Sequence, residues 1–293
     1  MTEGCGIGAL RRRISEELAG LDSPRLEADI LLSHFLGKNR AFLHAHPEYV
    51  PNRAELAAIE SAVSRRRARE PLQYIIGKCT FDGLEIGVSK GCLVPRPETE
   101  LLVQCAAENF PGGAFLDWGT GTGCIAIALL NRFPEAFAYM AEKNPDSIAC
   151  ASENLRKFAV TSRAKLFKSE APDDIGGFRV SMIVSNPPYI PSQEIDSLMP
   201  EVSEWEPRVA LDGGEDGLAP YAGLFALARR VLLDGGVLCV EYGGKSQTEA
   251  LRSLAPDCFE EICALRDLSG CDRVLAWKMR KSAGQKENEN ERV

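Results

Sequence analysis

From Ala114 onward, short apolar runs of strand length alternate with segments whose apolar residues recur at helical spacing, and nothing else in the chain restricts its fold as tightly. Strands fit residues 114–118, 136–141, 164–168, 180–185, 236–242, 259–267 and 273–278, and helices fit 124–132, 147–158, 219–233 and 246–254. A parallel strand pair needs a crossover, and a helical crossover covers the sheet, so this succession predicts an α/β, doubly wound, mostly parallel seven-stranded sheet. The last two strands follow each other without a helix, so one of them should run antiparallel to the rest.

Open α/β sheets bind ligands outside the carboxyl ends of their strands, and three of those ends are informative here. The run Val180–Ser185 ends in Asn186-Pro187-Pro188-Tyr189. Pro187 biases Asn186 toward an extended conformation, and two prolines remove two N–H donors while leaving carbonyl acceptors. An Asn carboxamide oxygen and a neighbouring carbonyl can together receive both hydrogens of one planar NH2 group, with the Tyr ring lying against that plane. Such a loop suits an amide or an exocyclic amine.

The run 114–118 ends in Asp117-Trp118-Gly119-Thr120-Gly121-Thr122-Gly123, whose glycines let the backbone turn without strain and approach a ligand closely. A dinucleotide fingerprint would place its third glycine at 124, which is Cys124, so a pyrophosphate cradle is disfavoured. Glu142, at the end of the following strand, can accept hydrogen bonds from both hydroxyls of a ribose. Glycine loop, strand-end acid and N-P-P-Y, in this order on three strand ends, predict a nucleoside-containing cofactor.

Ahead of this domain the chain changes character. Leu10, Ile14 and Leu18 recur at helical spacing; Asp22-Ser23-Pro24 opens a second helix that stops at Gly37; a third fits Asn52 to about Arg69. The expected organisation is a helical bundle over residues 1–70, a β-hairpin linker over 71–92 built from Tyr74–Gly77 and Phe81–Val88, the α/β domain over 93–280 and a disordered tail over 281–293. Arg96, set between Pro95 and Pro97 just before an apolar helix, is held by its neighbours and either faces a ligand or merely opens that helix.

Charge and rare residues exclude several classes. The net charge of the 293 residues is −8; residues 1–70 hold 11 Lys/Arg against 10 Asp/Glu, leaving 23 against 32 in the remainder. A chain that tracks a phosphate backbone on its own would show a basic stripe instead. The ten cysteines contain no C-x-x-C pair, and the three histidines, His34, His44 and His46, lack a helical H-x-x-x-H spacing, so neither a metal site nor a Ser-His-Asp hydrolase is expected. With no membrane-length apolar stretch and no apolar leader after Met1, the chain reads as cytoplasmic.

The D-x-G-T-G-T-G loop, the strand-end acid and N-P-P-Y resemble the Rossmann-like S-adenosylmethionine (AdoMet) methyltransferases that act on amide or amine nitrogens. Pro95–Glu100, Arg69–Ile75, Asp22–Ala28, Glu206-Pro207 and Ala210–Gly214 are similar to the peptide chain release factor glutamine N5-methyltransferases, and the similarity runs from about residue 8 to residue 278.

The resemblance implies that Gly119, Thr120, Gly121, Thr122 and Gly123 line the AdoMet site and that Glu142 binds the ribose. It also implies that Ala171 lies beside the adenine and that Asn186, Pro187, Pro188 and Tyr189 hold the substrate glutamine, with Asn186 touching cofactor and substrate alike. Asn186, Pro187 and Tyr189 form the expected catalytic group, S-adenosyl-L-homocysteine the product, and peptide chain release factors the partner. A monomer without direct nucleic-acid or membrane contact is expected. Glu142 stands where many members have Asp, and Trp118, in place of the usual Leu, should face the neighbouring core. An N6-adenine methyltransferase of DNA or RNA, or an AdoMet-binding module without catalysis, are the alternative readings.

Overall fold

The computed structural model describes residues 6–280, so the expected tail lies outside the described residues. The chain divides into two compact units, one running to Lys78 and including Met199–Trp205, the other comprising Cys79–Leu198 and the chain from Glu206.

The first unit is helical, with α1 (Ile7–Glu17), α2 (Pro24–Leu36), α3 (Arg40–Ala45), α4 (Arg53–Arg67) and α5 (Leu72–Ile76). Ile7, Leu10 and Ile14 of α1, Leu31 and Leu32 of α2 and Ile59 and Val63 of α4 close one apolar core. The boundaries follow local chemistry. Pro24 sits in the first turn of α2, and Gly37 ends it in the left-handed conformation. Asn52 caps α4 in a reciprocal box with Glu55, each side chain satisfying the other's backbone N–H at 2.9 and 2.8 Å.

Tyr74–Gly77 is not a strand. The Pro71 carbonyl accepts the N–H groups of Tyr74 and Ile75, and Gly77 at φ 74° closes the turn, so the segment is helix α5. Tyr74 and Ile75 are both buried, and a run this short gives helix and strand the same apolar signal. The hairpin consists of β1 (Lys78–Phe81) and β2 (Leu84–Gly87) alone.

The second unit continues with α6 (Glu100–Asn109), β3 (Ala114–Trp118), α7 (Cys124–Arg132), β4 (Phe137–Glu142), α8 (Pro145–Lys157), β5 (Ala164–Lys168) and β6 (Val180–Ser185). After the excursion containing α9 (Pro200–Ser203) come α10 (Ala219–Val231), β7 (Leu232–Glu241), α11 (Lys245–Leu254), β8 (Phe259–Arg266) and β9 (Asp272–Met279). The strands form a seven-stranded sheet in the order β5-β4-β3-β6-β7-β9-β8, parallel except that β9 runs antiparallel to both its neighbours. The doubly wound fold expected above is therefore present.

Successive residues of each strand face opposite layers. Phe115, Met182, Val184 and Cys239 join α6, α7 and α8 in one core, whereas Leu116, Ile183, Leu238 and Val240 join α10 and α11 in the other. Chain order leaves β3 toward β4 and β5 on one side and resumes at β6 and β7 on the other. The ends of β3 and β6 therefore flank the point where strand order reverses, and there the helices diverge and leave a crevice.

Within the helical unit, Arg66 is the principal polar tie. It is 5% exposed, donates to Glu27 at 2.6 Å and to Glu201 at 2.8 Å, and reaches the Glu70 carbonyl at 3.2 Å. Arg69 donates to the other oxygen of Glu201 at 2.6 Å. The Met199–Trp205 segment is thus fastened to α4 by charge-assisted hydrogen bonds. Removing one partner of a buried ion pair leaves an uncompensated charge, so Arg66→Met is expected to destabilise the protein by about 2–3 kcal/mol. The measurement is the urea midpoint at unchanged slope.

Candidate active site

The crevice beside β3 and β6 is a cleft of about 930 Å³ including its open mouth, the size of a small-molecule site. Gly119, Thr120, Gly121 and Thr122 form one wall, Glu142 another, and Asn186 and Pro188 a third. Gly123, Pro187, Tyr189 and Ala171 are not on its walls. Gly123 is the left-handed residue that starts α7, and a Cβ there would lie 3.1 Å from Met140. Pro187 is buried. Tyr189 packs behind the cleft against the α10 core.

The glycine loop is built by hydrogen bonds that leave its cleft surface bare. Gly119 and Thr120 both donate to the Ala141 carbonyl, at 2.9 and 3.1 Å, and Gly123 donates to Thr120 at 2.8 Å. Gly119 (φ 71°) and Gly121 (φ 56°) are left-handed, and a Cβ on either would meet nothing within 4 Å. Open space lies above this backbone, so a ligand can rest directly on it.

Asp117 anchors the loop from beneath. It is fully buried, and its Oδ2 accepts from the Thr120 hydroxyl at 2.6 Å and from the Ala126 N–H at 3.2 Å; Oδ1 has no hydrogen-bond partner. Burial pushes its carboxyl up to about 7, against the pull of those two donors.

Glu142 occupies the strand end predicted for it. Its Oε1 accepts the N–H groups of Lys143 and Asn144 at 2.8 and 2.9 Å, and its Oε2 accepts from Gly121 at 2.9 Å. A carboxylate offers about four acceptor positions, so one, on Oε2, remains for a ligand hydroxyl. The same carboxylate also holds the glycine loop.

The N-P-P-Y loop is braced on its far side. Asn186 donates its Nδ2 to the Thr99 hydroxyl at 3.0 Å, and Thr99 itself lines the cleft. Tyr189 donates its hydroxyl to Glu241 Oε1 at 3.2 Å, and its carbonyl accepts from Gln247 Nε2 at 2.9 Å. Ile190 continues the bracing through a short parallel bridge to Asp212, its N–H donating to the Leu211 carbonyl at 3.0 Å and its carbonyl accepting from Gly213 at 2.9 Å. Gly217, at φ 75°, admits the Tyr189 carbonyl so closely that a Cβ there would stand 2.2 Å from the oxygen.

Arg96 is on the cleft wall and is ion-paired with the buried Glu206. Burial pushes the Glu206 carboxyl up to about 7, with Arg96 opposing that rise. Trp118 also lines the cleft while its ring packs against the α10 core, so it reaches the ligand side as well as the core expected for it.

Ser169 and Glu170 form the wall near the end of β5. Ala171 follows them, and its N–H is satisfied by Asp174 at 3.1 Å. Thr99, Glu241, Gln247 and Gly217 escaped sequence reasoning as separate parts of the site, because no spacing links them to N-P-P-Y. The one available signal was the acidic residue closing the apolar run before Tyr242.

Among the described residues no group of three or more His, Cys, Asp or Glu could hold a metal, and no helix is long and apolar enough to cross a membrane.

A glycine-floored cleft at a strand-order reversal, with an acceptor carboxylate on one side and a braced carboxamide on the other, suits a nucleoside-bearing ligand beside a small planar amide. Comparison with known proteins agrees. Residues 9–77 match the PrmC N-terminal domain, and residues 97–202 match the Methyltransferase small domain. The chain is 40% identical over 262 residues to the release factor glutamine methyltransferase of Geobacter sulfurreducens, spanning 89% of this chain and 91% of that protein. It is 36% identical to the protein of that name from Vibrio cholerae, spanning 92% and 95%. A crystal structure of a methyltransferase from Pyrococcus furiosus superposes with a TM-score of 0.54 at 18% identity, covering 74% of this chain and 99% of that one, and shares the fold.

Because its buried carboxyl binds a proton more readily than the ordinary value near 3.8, Asp117 makes the folded state hold more protons than the unfolded state between about pH 4 and pH 7. Its contribution is complete below the ordinary value and is lost as pH rises through about 7. The melting temperature is expected to fall from pH 5 to pH 7, and to fall less in Asp117→Asn; calorimetry at a series of pH values checks both.

Proposed function

The chain belongs to the family of release factor glutamine methyltransferases, and on that footing we propose that it transfers a methyl group from AdoMet to the side-chain amide nitrogen (N5) of the Gly-Gly-Gln glutamine in a peptide chain release factor. The observation that carries this reading is that Asn186 and Pro188 share one cleft with the glycine loop and Glu142.

The residues fit such a cofactor. Bare backbone at Gly119 and Gly121, the free acceptor position of Glu142 and the buried, unpartnered Thr122 hydroxyl are all complementary to a polar, extended nucleoside. Gly119, Thr120, Gly121, Thr122, Glu142 and Asn186 would hold AdoMet, with Gly123 shaping the loop from behind. The adenine end would rest at Ser169 and Glu170, with Ala171 in the supporting turn. When bound, AdoMet supplies an electrophilic methyl group.

The chain's own task is to make an amide nitrogen nucleophilic and to aim it. That lone pair is delocalised into the carbonyl. Asn186 Oδ1 and the Pro187 carbonyl, as acceptors for the two N–H bonds, would push density back onto nitrogen, while Pro188 sets the plane and Tyr189 anchors the loop from behind. With Asn186 Nδ2 engaged by Thr99, its Oδ1 is the end left for substrate. The proton can leave after the methyl group has arrived, so no strong base is required.

The acidic balance of the larger domain fits a protein partner better than bare nucleic acid, and a cytoplasmic monomer is part of the proposal. So is a partner-gripping role for the N-terminal helices, since a single glutamine offers too little surface for selection and standard interfaces bury about 800 Å² per side.

Incubating the protein with labelled AdoMet and a release factor, with and without its Gly-Gly-Gln glutamine, tests the assignment; label independent of that glutamine contradicts it. Asn186→Ala is expected to lower kcat by about 10²–10³ with little change in melting temperature, because it deletes an acceptor aimed at the reacting group. Steady-state kinetics with both substrates saturating provides the check. A short peptide around the glutamine is expected to show a KM at least about tenfold above that of the intact factor, equivalent to ~1.4 kcal/mol of lost contact; equal values would remove the gripping role.

A further inference from the structure

Asn154 lies inside α8, 2% exposed, on the buried face of the helix with Cys150, Ala151 and Leu155. Asn suits neither a helix interior nor an apolar core, so its presence there asks for a reason. Its carboxamide is fully engaged. Oδ1 accepts the Gly87 N–H at 2.8 Å, and the two Nδ2 hydrogens go to the Gly87 and Thr122 carbonyls, both at 2.9 Å. One donor and two acceptors around it allow only one orientation of the carboxamide. Toward Gly87 the side chain bonds as a paired strand residue would, exchanging donor and acceptor with the end of β2. Its remaining hydrogen reaches the glycine loop.

Thr122 stands between Gly121 (φ 56°) and Gly123 (φ 81°), neighbours that restrain its orientation little by themselves. The loop is instead tied from outside: Gly121 donates to Glu142, Gly123 donates to the Thr120 carbonyl, and the Thr122 carbonyl accepts from Asn154. With that carbonyl held, the Thr122 hydroxyl, buried and without a protein partner, belongs to a residue of the cleft wall whose backbone no longer turns freely.

We propose that Asn154 is a positioning residue for the cofactor: by fixing the Thr122 carbonyl it presets the glycine loop, so that AdoMet meets a surface already in its bound shape. The inference rests on the methyltransferase reading above. Asn154 is not on the cleft wall, and neither is Gly87. A Cβ at Gly87 would stand 2.8 Å from Asn154 Oδ1, so position 87 controls the carboxamide from outside the cleft. Because the bonds at Gly87 and Thr122 belong to one side chain, a ligand that favours one favours the other.

Two variants approach the carboxamide from different sides. Asn154→Leu fills the space without polar atoms, and Gly87→Ala displaces the side chain while leaving every cleft residue in place. Asn154→Leu is expected to raise the Kd for AdoMet, measured by calorimetry on the free protein, at least about tenfold, and Gly87→Ala at least about threefold, with kcat at saturating AdoMet and KM for the release factor changed less than about twofold. In a double-mutant cycle, Asn154→Leu is expected to weaken AdoMet binding less in a Thr122→Val background than in the wild type. By NMR, saturating AdoMet is expected to slow solvent exchange of the wild-type Gly87 amide proton, which a purely packing role for Asn154 would leave unchanged. Wild-type AdoMet affinity in Asn154→Leu, independent effects in the cycle, or Gly87 exchange indifferent to AdoMet would each overturn the proposal. If Asn154→Leu does not fold, Gly87→Ala decides, and an unchanged Kd there overturns it. If the wild-type protein binds no AdoMet, the functional reading fails and takes this one with it; wild-type binding with unaffected variants sinks this one alone.

Discussion

The parallel ladder between β3 and β6, pairing Phe115–Asp117 with Met182–Val184, is the contact on which the site depends. It joins segments more than 60 residues apart and sets two loop-forming strand ends side by side, one ending in glycines and one in prolines. The two loops have opposite stiffness for a physical reason. Glycine backbone yields to a ligand surface and approaches it closely, whereas proline backbone resists adjustment and keeps its acceptors where they are. A site that accommodates one ligand and must aim at another benefits from one wall of each kind. Both walls stand on strands buried on both faces, so the scaffold that fixes their separation is the most rigid part of the unit.

Buried carboxylates are the cost of that arrangement. Asp117, Glu206 and Glu241 are each largely or wholly buried beneath a cleft loop, and each has its carboxyl pushed up to about 7 by burial. None is a close-packed apolar substitute for anything. Each instead receives hydrogen bonds or an ion pair from residues of that loop: Thr120 for Asp117, Arg96 for Glu206 and Tyr189 for Glu241. Stability is surrendered locally, and loop orientation is obtained in return.

The larger domain was legible because its signals are local. Strand runs 114–118, 164–168 and 180–185 and helix 124–132 coincide with β3, β5, β6 and α7, since apolar period and breakers sit in the same short window. Legibility ended where a signal was too short or not local. Six residues of α3 make fewer than two turns, and Tyr74–Gly77 has too few apolar positions to separate period 2 from period 3.6. Thr99, Gly217, Glu241 and Gln247 reach the N-P-P-Y loop from four different parts of the chain, and only the folded arrangement shows that they share it. Tyr189 illustrates the limit well: its place in the motif suggested a ligand-facing ring, while its hydroxyl and carbonyl are both taken by the supporting residues.

Recombination between relatives would meet an obstacle in the chain's path. The helical unit is not a contiguous stretch, because Met199–Trp205, encoded beyond the N-P-P-Y loop, belongs to it and is held there by Glu201 on Arg66 and Arg69. A chimera spliced at residue 78 would join one parent's arginines to the other parent's segment. The heritable module is therefore a pair of segments separated by 120 residues (79–198), which must change together, and crossovers between them are the ones selection should remove.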